Sequence, residues 1–244
     1  MGRAPFLIVP AVSAASGEAT VYGQAVLADS PIGYWPLDEL TGSTVEDAAG
    51  VNDGTVFGAD LFVSGRPSSA AAASFDGTDD YISADPVTGF TDGLTLEALI
   101  YPTAVTGRMD IVNSASFNGS GYSLYLNSGV PSFRADLVGA TNSFAAASTS
   151  LSAYQWYHVV GTWDKAGTGP VRLYVNGSEV SYDSQDASTA DLRHRNDRWV
   201  IGARGSMSET PTGYFAGIID EPAVYDYRLS AARVLDHAEK AGLA

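Results

Sequence analysis

Between Trp156 and Val180, apolar and polar positions alternate in two runs, Tyr157–Trp163 and Val171–Val175. Successive side chains of a strand point to opposite faces. Tyr157, Val159, Gly161 and Trp163 therefore share one face, and His158, Val160 and Thr162 share the other. In the second run Val171, Leu173 and Val175 lie together, and Arg172 and Tyr174 point away from them. The glycine-rich segment Asp164–Pro170 turns between the runs. Asn176-Gly177 supplies the pair of a type I′ turn that folds the chain back into Ser178–Val180. The pattern predicts a three-stranded antiparallel meander with Val159, Trp163, Leu173 and Val175 against a core. A meander with one dry face needs a second sheet to cover it.

The rest of the chain reads in the same terms. Residues 1–21 follow neither period and predict an extended arm, leaving residues 22–244 as one domain. Val21–Ala28 has room for about two helical turns, stopped by Asp29-Ser-Pro31. Tyr34–Leu37 reads as a short strand, placed at an edge or a bulge by Pro36. Asp38–Gly54 is dense in turn formers, and Ser74–Ile82 reads as two short strands about Gly77. Leu94, Leu96, Ala98 and Ile100 alternate cleanly. Asp110–Asn113, Tyr122–Leu126 and Ser132–Leu137 are further short strands. Thr141–Ser152 and residues 181–198 read as loops on either side of the meander. Trp199–Gly202 and Tyr214–Tyr225 are the last strands. Ser230 is an N-cap for a helix over Ala231–Ala241, Leu229 and Val234 form a hydrophobic staple, and Gly242 is the stop. Many short strands with close turns and one terminal helix predict an all-β fold, a two-sheet antiparallel jelly-roll sandwich with a short C-terminal helix.

An ordered set of short motifs accompanies this pattern: Tyr34-Trp-Pro-Leu-Asp38, Asp47-Ala-Ala-Gly-Val-Asn-Asp-Gly54, Phe75-Asp-Gly-Thr-Asp-Asp-Tyr81 and Leu94-Thr-Leu-Glu-Ala98. Trp156-Tyr-His-Val, Leu173-Tyr-Val-Asn-Gly177, Ile201-Gly202, Phe215-Ala-Gly-Ile-Ile-Asp-Glu221 and Arg228-Leu-Ser230 follow. The series resembles the laminin-G-like branch of the concanavalin A-like lectin/glucanase jelly rolls, from Tyr22 to the terminal helix. Two places depart from it: Pro222 stands where the family usually has Val or Ile, and the arm has no counterpart. The resemblance implies two stacked, curved antiparallel sheets. It also implies a structural calcium held between the turn of Asp47, Asn52 and Asp53 and the Asp-Glu of the last strand, with Asp220 as the distant ligand. Oxygen donors at turns are what that ion takes.

Charge and composition narrow the function. Thirteen Lys+Arg against 28 Asp+Glu give a formal net charge of −15, which repels nucleic acid and anionic lipid. There is no cysteine, so thiol catalysis, disulfides and thiolate zinc sites are excluded. No stretch approaches the ~20 apolar residues of a membrane span. Glycoside hydrolysis needs two carboxylates about 5–5.5 Å or about 6.5–9.5 Å apart. The hydrolases of this fold carry them as Glu-x-Asp-x-x-Glu on one strand, and no such run occurs. Glu97 stands alone in its strand, and Asp220 and Glu221, being adjacent, are expected on opposite faces. His158 reads as a structural histidine within the meander; His194 and His237 have no recognisable context. The expectation is a non-enzyme.

Glycan binding needs aromatic platforms beside hydrogen-bonding groups. Tyr174, on the face away from the meander core, leads the candidates, with Tyr182 and Trp199. Arg193 and Arg195 belong to the one basic cluster in the sequence, Arg193–Arg198, and are candidates for an anionic sugar. Met1-Gly-Arg3 followed by Ala4–Val12 makes a poor secretion signal, broken by Pro5 and Pro10. Phe6, Leu7, Ile8 and Val9, bounded by those prolines, suit strand addition to a neighbouring protein. Together these features predict a non-catalytic, homo-oligomeric coating or binding module on a bacteriophage virion, capsid or tail, tethered by the arm and able to bind host glycans. The alternatives are a secreted bacterial carbohydrate-binding adhesin at the cell surface and a glycoside hydrolase.

Overall fold

A computed structural model describes residues 20–65, 71–86, 90, 92–115, 121–139, 143–166, 171–186, 188–193, 197–205 and 210–244. The tether predicted at Phe6–Val9 lies outside these residues, as does Arg195. The helix α1 (Val21–Ala28) is capped by Thr20, whose hydroxyl accepts from the Gly23 amide at 2.9 Å. Then come β1 (Gly33–Tyr34), β2 (Thr44–Val45), β3 (Gly54–Phe57), β4 (Asp60–Val63), β5 (Ala72–Asp76) and β6 (Tyr81–Ala84). The long central strands are β7 (Gly93–Pro102), β8 (Arg108–Ala115), β9 (Gly121–Asn127), β10 (Val130–Ala135) and β11 (Ser143–Ala147). The meander is β12 (Tyr157–Asp164), β13 (Val171–Val175) and β14 (Ser178–Glu179), and β15 (Tyr182–Asp186) follows it. The chain ends with β16 (Trp199–Ile201), β17 (Ala216–Tyr225) and α2 (Ala231–Lys240). Among the described residues no helix is long and apolar enough to cross a membrane.

Two antiparallel sheets result. The first runs β14-β13-β12-β7-β17-β5-β4, with β1 pairing on β17; the second runs β15-β11-β10-β9-β8-β16-β6-β3-β2. The meander forms as the alternation predicts: Val159 lies opposite Val175, and Asn176 and Gly177 both have positive φ, 50° and 77°. Val159, Trp163 and Leu173 are fully buried between the sheets, with Val175 packed against them. Gly161 sits in this dry face because a Cβ there would come within 2.2 Å of the Phe133 ring on the opposing sheet.

A second apolar cluster lies on the other side of the first sheet. Leu99, Val160, Tyr174, Ala223 and Tyr225 point outward there, and the helices cover them with Tyr22, Val26 and Val234. The staple residue Leu229 joins this cluster. The sandwich is therefore three layers deep on one side.

Three elements depart from the sequence reading. Ser143–Ala147 is a strand within the predicted loop Thr141–Ser152, and Tyr182–Asp186 is a strand within the loop 181–198. Both are weak patterns: the inward positions of β11 are a serine and two alanines, and β15 is an exposed polar edge. The two strands about Gly77 form, but β5 joins the first sheet and β6 the second. At Pro222 the ladder breaks. Asp220 pairs with Leu99 and Ala223 with Glu97, so β17 spends one residue more than β7 across this interval. Such a bulge shifts which side chains face the core. Glu221 takes φ 54° within it, and the Pro222 carbonyl accepts the Trp35 amide at 3.0 Å.

Candidate functional site

The outer face of the second sheet carries no described helix, and its strands point hydrogen-bonding groups outward. Cross-strand partners share a face, so Tyr125 stands with Asp110 and Ser132, and Arg134 stands with Ser123 and Phe144. Arg108 forms two hydrogen bonds to Asp110, both at 2.7 Å, and one to the Ser123 hydroxyl at 3.0 Å. Ser123 in turn donates to Asp110 at 2.5 Å. The Arg108 guanidinium lies 3.8 Å from the centre of the Tyr125 ring, a cation–π contact. Burial lowers the Arg108 pKa, but the paired Asp110 overrides it and raises it, so this arginine is spent within the fold.

Further across the same sheet, Phe57 and Tyr81 are cross-strand partners with rings stacked at 4.5 Å and 9°. Their neighbours Val56 and Ile82 turn inward, which puts the stacked pair on the outer face. Phe57 is 42% exposed. Arg198 reaches over the Tyr81 ring at 5.8 Å. Tyr214, whose hydroxyl burial pushes up, also feels Tyr81 and Asp79.

The residues expected to bind glycan are not brought together. Trp199 is a core residue, 1% exposed, packed beside Phe90 and Tyr122. Its three-residue strand is apolar throughout, so no period reveals its inward face. Tyr174 does point away from the inter-sheet core, but the helical layer covers it and leaves 2% exposed. Tyr182 is half-buried; its hydroxyl accepts the Leu173 amide at 3.1 Å and donates to Glu179 at 2.8 Å. Arg193 pairs with Asp136 at 3.2 Å and donates to the Leu137 carbonyl, fastening a loop. The outward residues Phe57, Tyr81 and Arg134 were not among the candidates. Alternation along β3, β6 and β10 would have revealed their face.

The turn expected to hold calcium is formed. Asp47 accepts the amides of Tyr34, Ala49 and Asn52 and the Asn52 side chain, and its own amide donates to Asp53. Those four donors occupy the lone pairs of its carboxylate. Asp47, Asp53, Glu39 and Glu46 line an open hollow of about 480 Å³. Glu39 accepts the Glu46 amide with one oxygen, while the other is buried without a hydrogen-bond partner, as is one oxygen of Asp38. Burial raises both carboxyls. Asp220 shares the face of Leu99, beneath the helices. Among the described residues, the three carboxylates whose oxygens lie within 4.8 Å of one another are Asp76, Asp79 and Asp80, not Asp47, Asp53 and Asp220. The bulge also corrects the expectation for Glu221. It does not face away from Asp220's side of the sheet; it is bonded by Tyr34 and by Thr20, the latter at 3.1 Å. Burial pushes its carboxyl up to about 7.

Glu97, the single carboxylate of β7, takes its partners from other elements. One oxygen accepts from Tyr22 at 2.9 Å, His158 at 2.6 Å and His237 at 2.9 Å; the other accepts from Tyr225 at 3.0 Å. Glu97 and both histidines are fully buried. Burial would raise the Glu97 carboxyl, but the two histidines hold it well below the usual range. Burial would lower His237; Glu97 on one nitrogen and Asp29 at 3.2 Å on the other raise it instead. With no solvent access, this group of acids and bases ties the helices to the first sheet and has no route to a substrate.

A sandwich of two antiparallel sheets with an outward aromatic and arginine face is the frame of a lectin-type binding domain. The chain belongs to the concanavalin A-like lectin/glucanases superfamily, whose laminin G family profile matches residues 76–235. Among solved structures it is similar to the botulinum neurotoxin serotype D binding domain, with TM-score 0.64 and 16% identity over 88% of this chain and 52% of that one. The ligand binding domain of the same toxin in complex with N-acetylneuraminic acid gives TM-score 0.65 and 17% identity, with coverage of 88% and 52%. The chain thus spans about half the length of those domains. Domain 4 of AbnA, an extracellular arabinanase from Geobacillus stearothermophilus, in complex with arabinotriose, gives TM-score 0.61 and 19% identity over 86% of this chain and 98% of that one. No curated protein sequence matches. These structural neighbours are mostly binding domains.

Proposed function

We propose that the protein is a non-catalytic carbohydrate-binding module and that glycan lies on the outer face of the second sheet. The observation that carries this reading is the stacked pair of exposed Phe57 and half-buried Tyr81 on the same face as the hydrogen-bonding strands β8 to β10. A stacked apolar platform with polar groups beside it is what a sugar ring requires. The structural neighbours crystallised with arabinotriose and with N-acetylneuraminic acid support it. A glycan array probed with the full chain tests it: we expect selective binding that Phe57→Ala and Tyr81→Ala abolish. An array without signal, or signal indifferent to both variants, overturns it. No polysaccharide should be hydrolysed: among the described residues, the acid and bases gathered around Glu97 are closed to solvent.

For the setting we propose display on a bacteriophage virion, which mass spectrometry of purified particles tests. A structural calcium is a separate proposal. The ion would lie at the turn of Asp47, Asn52 and Asp53, where the unpartnered oxygen of Glu39 in the adjoining acidic hollow supports a cation. Calcium should then raise the melting temperature and a chelator lower it; identical melting curves overturn the proposal.

A further inference from the structure

Two arginines on the outer face of the second sheet stand in contrasting states. Arg108 is neutralised by its paired hydrogen bonds to Asp110. Arg134 projects from β10 on the same face, between Ser123 of β9 and Phe144 of β11. Its Nε is buried without a hydrogen-bond partner, and no ion pair reaches it among the described residues. The nearest acid, Asp136, is engaged by Arg193. Desolvation lowers the Arg134 pKa, the charge of Asp136 opposes that, and the neighbouring Arg108 and Arg204 act in the same direction as desolvation. In a chain of net charge −15, this is a local reversal of sign on the face assigned to glycan.

We propose that Arg134 selects glycans bearing a carboxylate, a uronic or sialic acid, by taking that carboxylate on its guanidinium while Phe144 flanks the sugar. This rests on the glycan reading and narrows it. A guanidinium fork matches a carboxylate through two parallel N–H···O bonds, and half-burial strengthens them. A single carboxylate also suits the protein's overall charge, because polyanions such as nucleic acid are repelled by the rest of the surface.

The test is calorimetric titration of the full chain with trigalacturonic acid and with sialyllactose, each beside its methyl ester. The esters keep the sugar and remove the charge. We expect at least one acid to bind about tenfold or more tightly than its ester, the size of a charged hydrogen bond. Arg134→Met should erase the difference. Arg134→Lys should keep a reduced preference, and that preference should shrink with added salt. Unchanged circular dichroism of both variants separates loss of selection from loss of fold. Equal affinity for acid and ester, or a preference that survives Arg134→Met, overturns the inference. If neutral sugars still bind in a Tyr81-dependent way, the glycan reading stands without it. Absence of binding to any sugar overturns both. Competition by inorganic sulfate as strong as by the acid would reassign Arg134 to anions in general and overturn sugar selection.

Discussion

The two outer faces of the sandwich use the same chemistry to opposite ends. On the first sheet, Glu97, His158, His237, Tyr22 and Tyr225 are sealed beneath two helices, and each carboxylate oxygen of Glu97 is bonded. On the second sheet, Arg108 is bonded to Asp110, whereas among the described residues Arg134 forms no ion pair and its Nε has no hydrogen-bond partner. A buried charge that meets its partners inside the fold is structural. A charge held without one has interaction energy left for a ligand. The contrast explains why His158 and Glu97 belong to folding here, whereas the arginine–aromatic face is the one proposed for recognition.

Removing the sealed charge should have the largest effect. Glu97→Ala leaves two histidines and two hydroxyls without an acceptor in a dry layer, and breaking such a group costs about 3–5 kcal/mol. Glu97→Gln, which keeps the shape, should cost less. Chemical denaturation measures both; a change below about 1 kcal/mol for Glu97→Ala would show the cluster to be dispensable. The inter-sheet core gives the apolar reference. Leu173→Ala, fully buried between the sheets, should cost about 2–5 kcal/mol through lost transfer energy and a cavity. A smaller effect than at exposed Phe57 would mean that the core face has been assigned wrongly.

The sealed face also predicts a pH dependence. Glu97 is held below its ordinary 4.5, so its stabilisation is present above pH 4.5 and lost as pH falls. His237 is raised above 6.5, so its contribution is full below pH 6.5 and fades as pH rises through the raised value. Glu221 keeps its proton to about 7, whereas the unfolded chain releases it near 4.5, so stability declines across that interval as pH rises. Together the three signs place the maximum near pH 4.5, where the Glu97 contribution is complete and the decline from Glu221 begins. Melting temperature against pH measures it. Glu221→Gln should flatten the decline up to neutral pH, and His237→Gln the decline above it. A wild-type maximum at pH 8 would contradict the signs.

How far the sequence reveals each face follows from what alternation can carry. It identifies the inward residues of the meander, the capped terminal helix and the outward direction of Tyr174. It does not reveal that helices cover Tyr174, because that depends on where residues far along the chain return. Glu97, His158 and His237 come from β7, β12 and α2, and only the tertiary fold joins them. The same holds for Arg108, Arg134 and Arg204, whereas the contiguous cluster around Arg193 drew attention by sequence proximity alone. Parity fails at the bulge of β17, where Pro222 marked the spot but not the direction of the shift.

The smallest effect on stability belongs to the face without a described helix, and it separates the two faces most clearly. Phe57 and Tyr81 are a cross-strand aromatic pair on the second sheet's outer surface, and such pairs contribute ~0.2–1 kcal/mol. Phe57 remains 42% exposed, so truncation forfeits little burial and opens no cavity. We therefore expect Phe57→Ala and Tyr81→Ala each to change stability by less than about 1 kcal/mol, with the double variant close to the sum less their shared stacking energy. Glycan binding should fall about tenfold or more in each, because a stacked ring at a binding surface acts as an anchor. Denaturation and titration on the same preparations give both quantities. A large stability loss would make the pair a buried satellite of the core, and the two faces would then differ in cover but not in purpose.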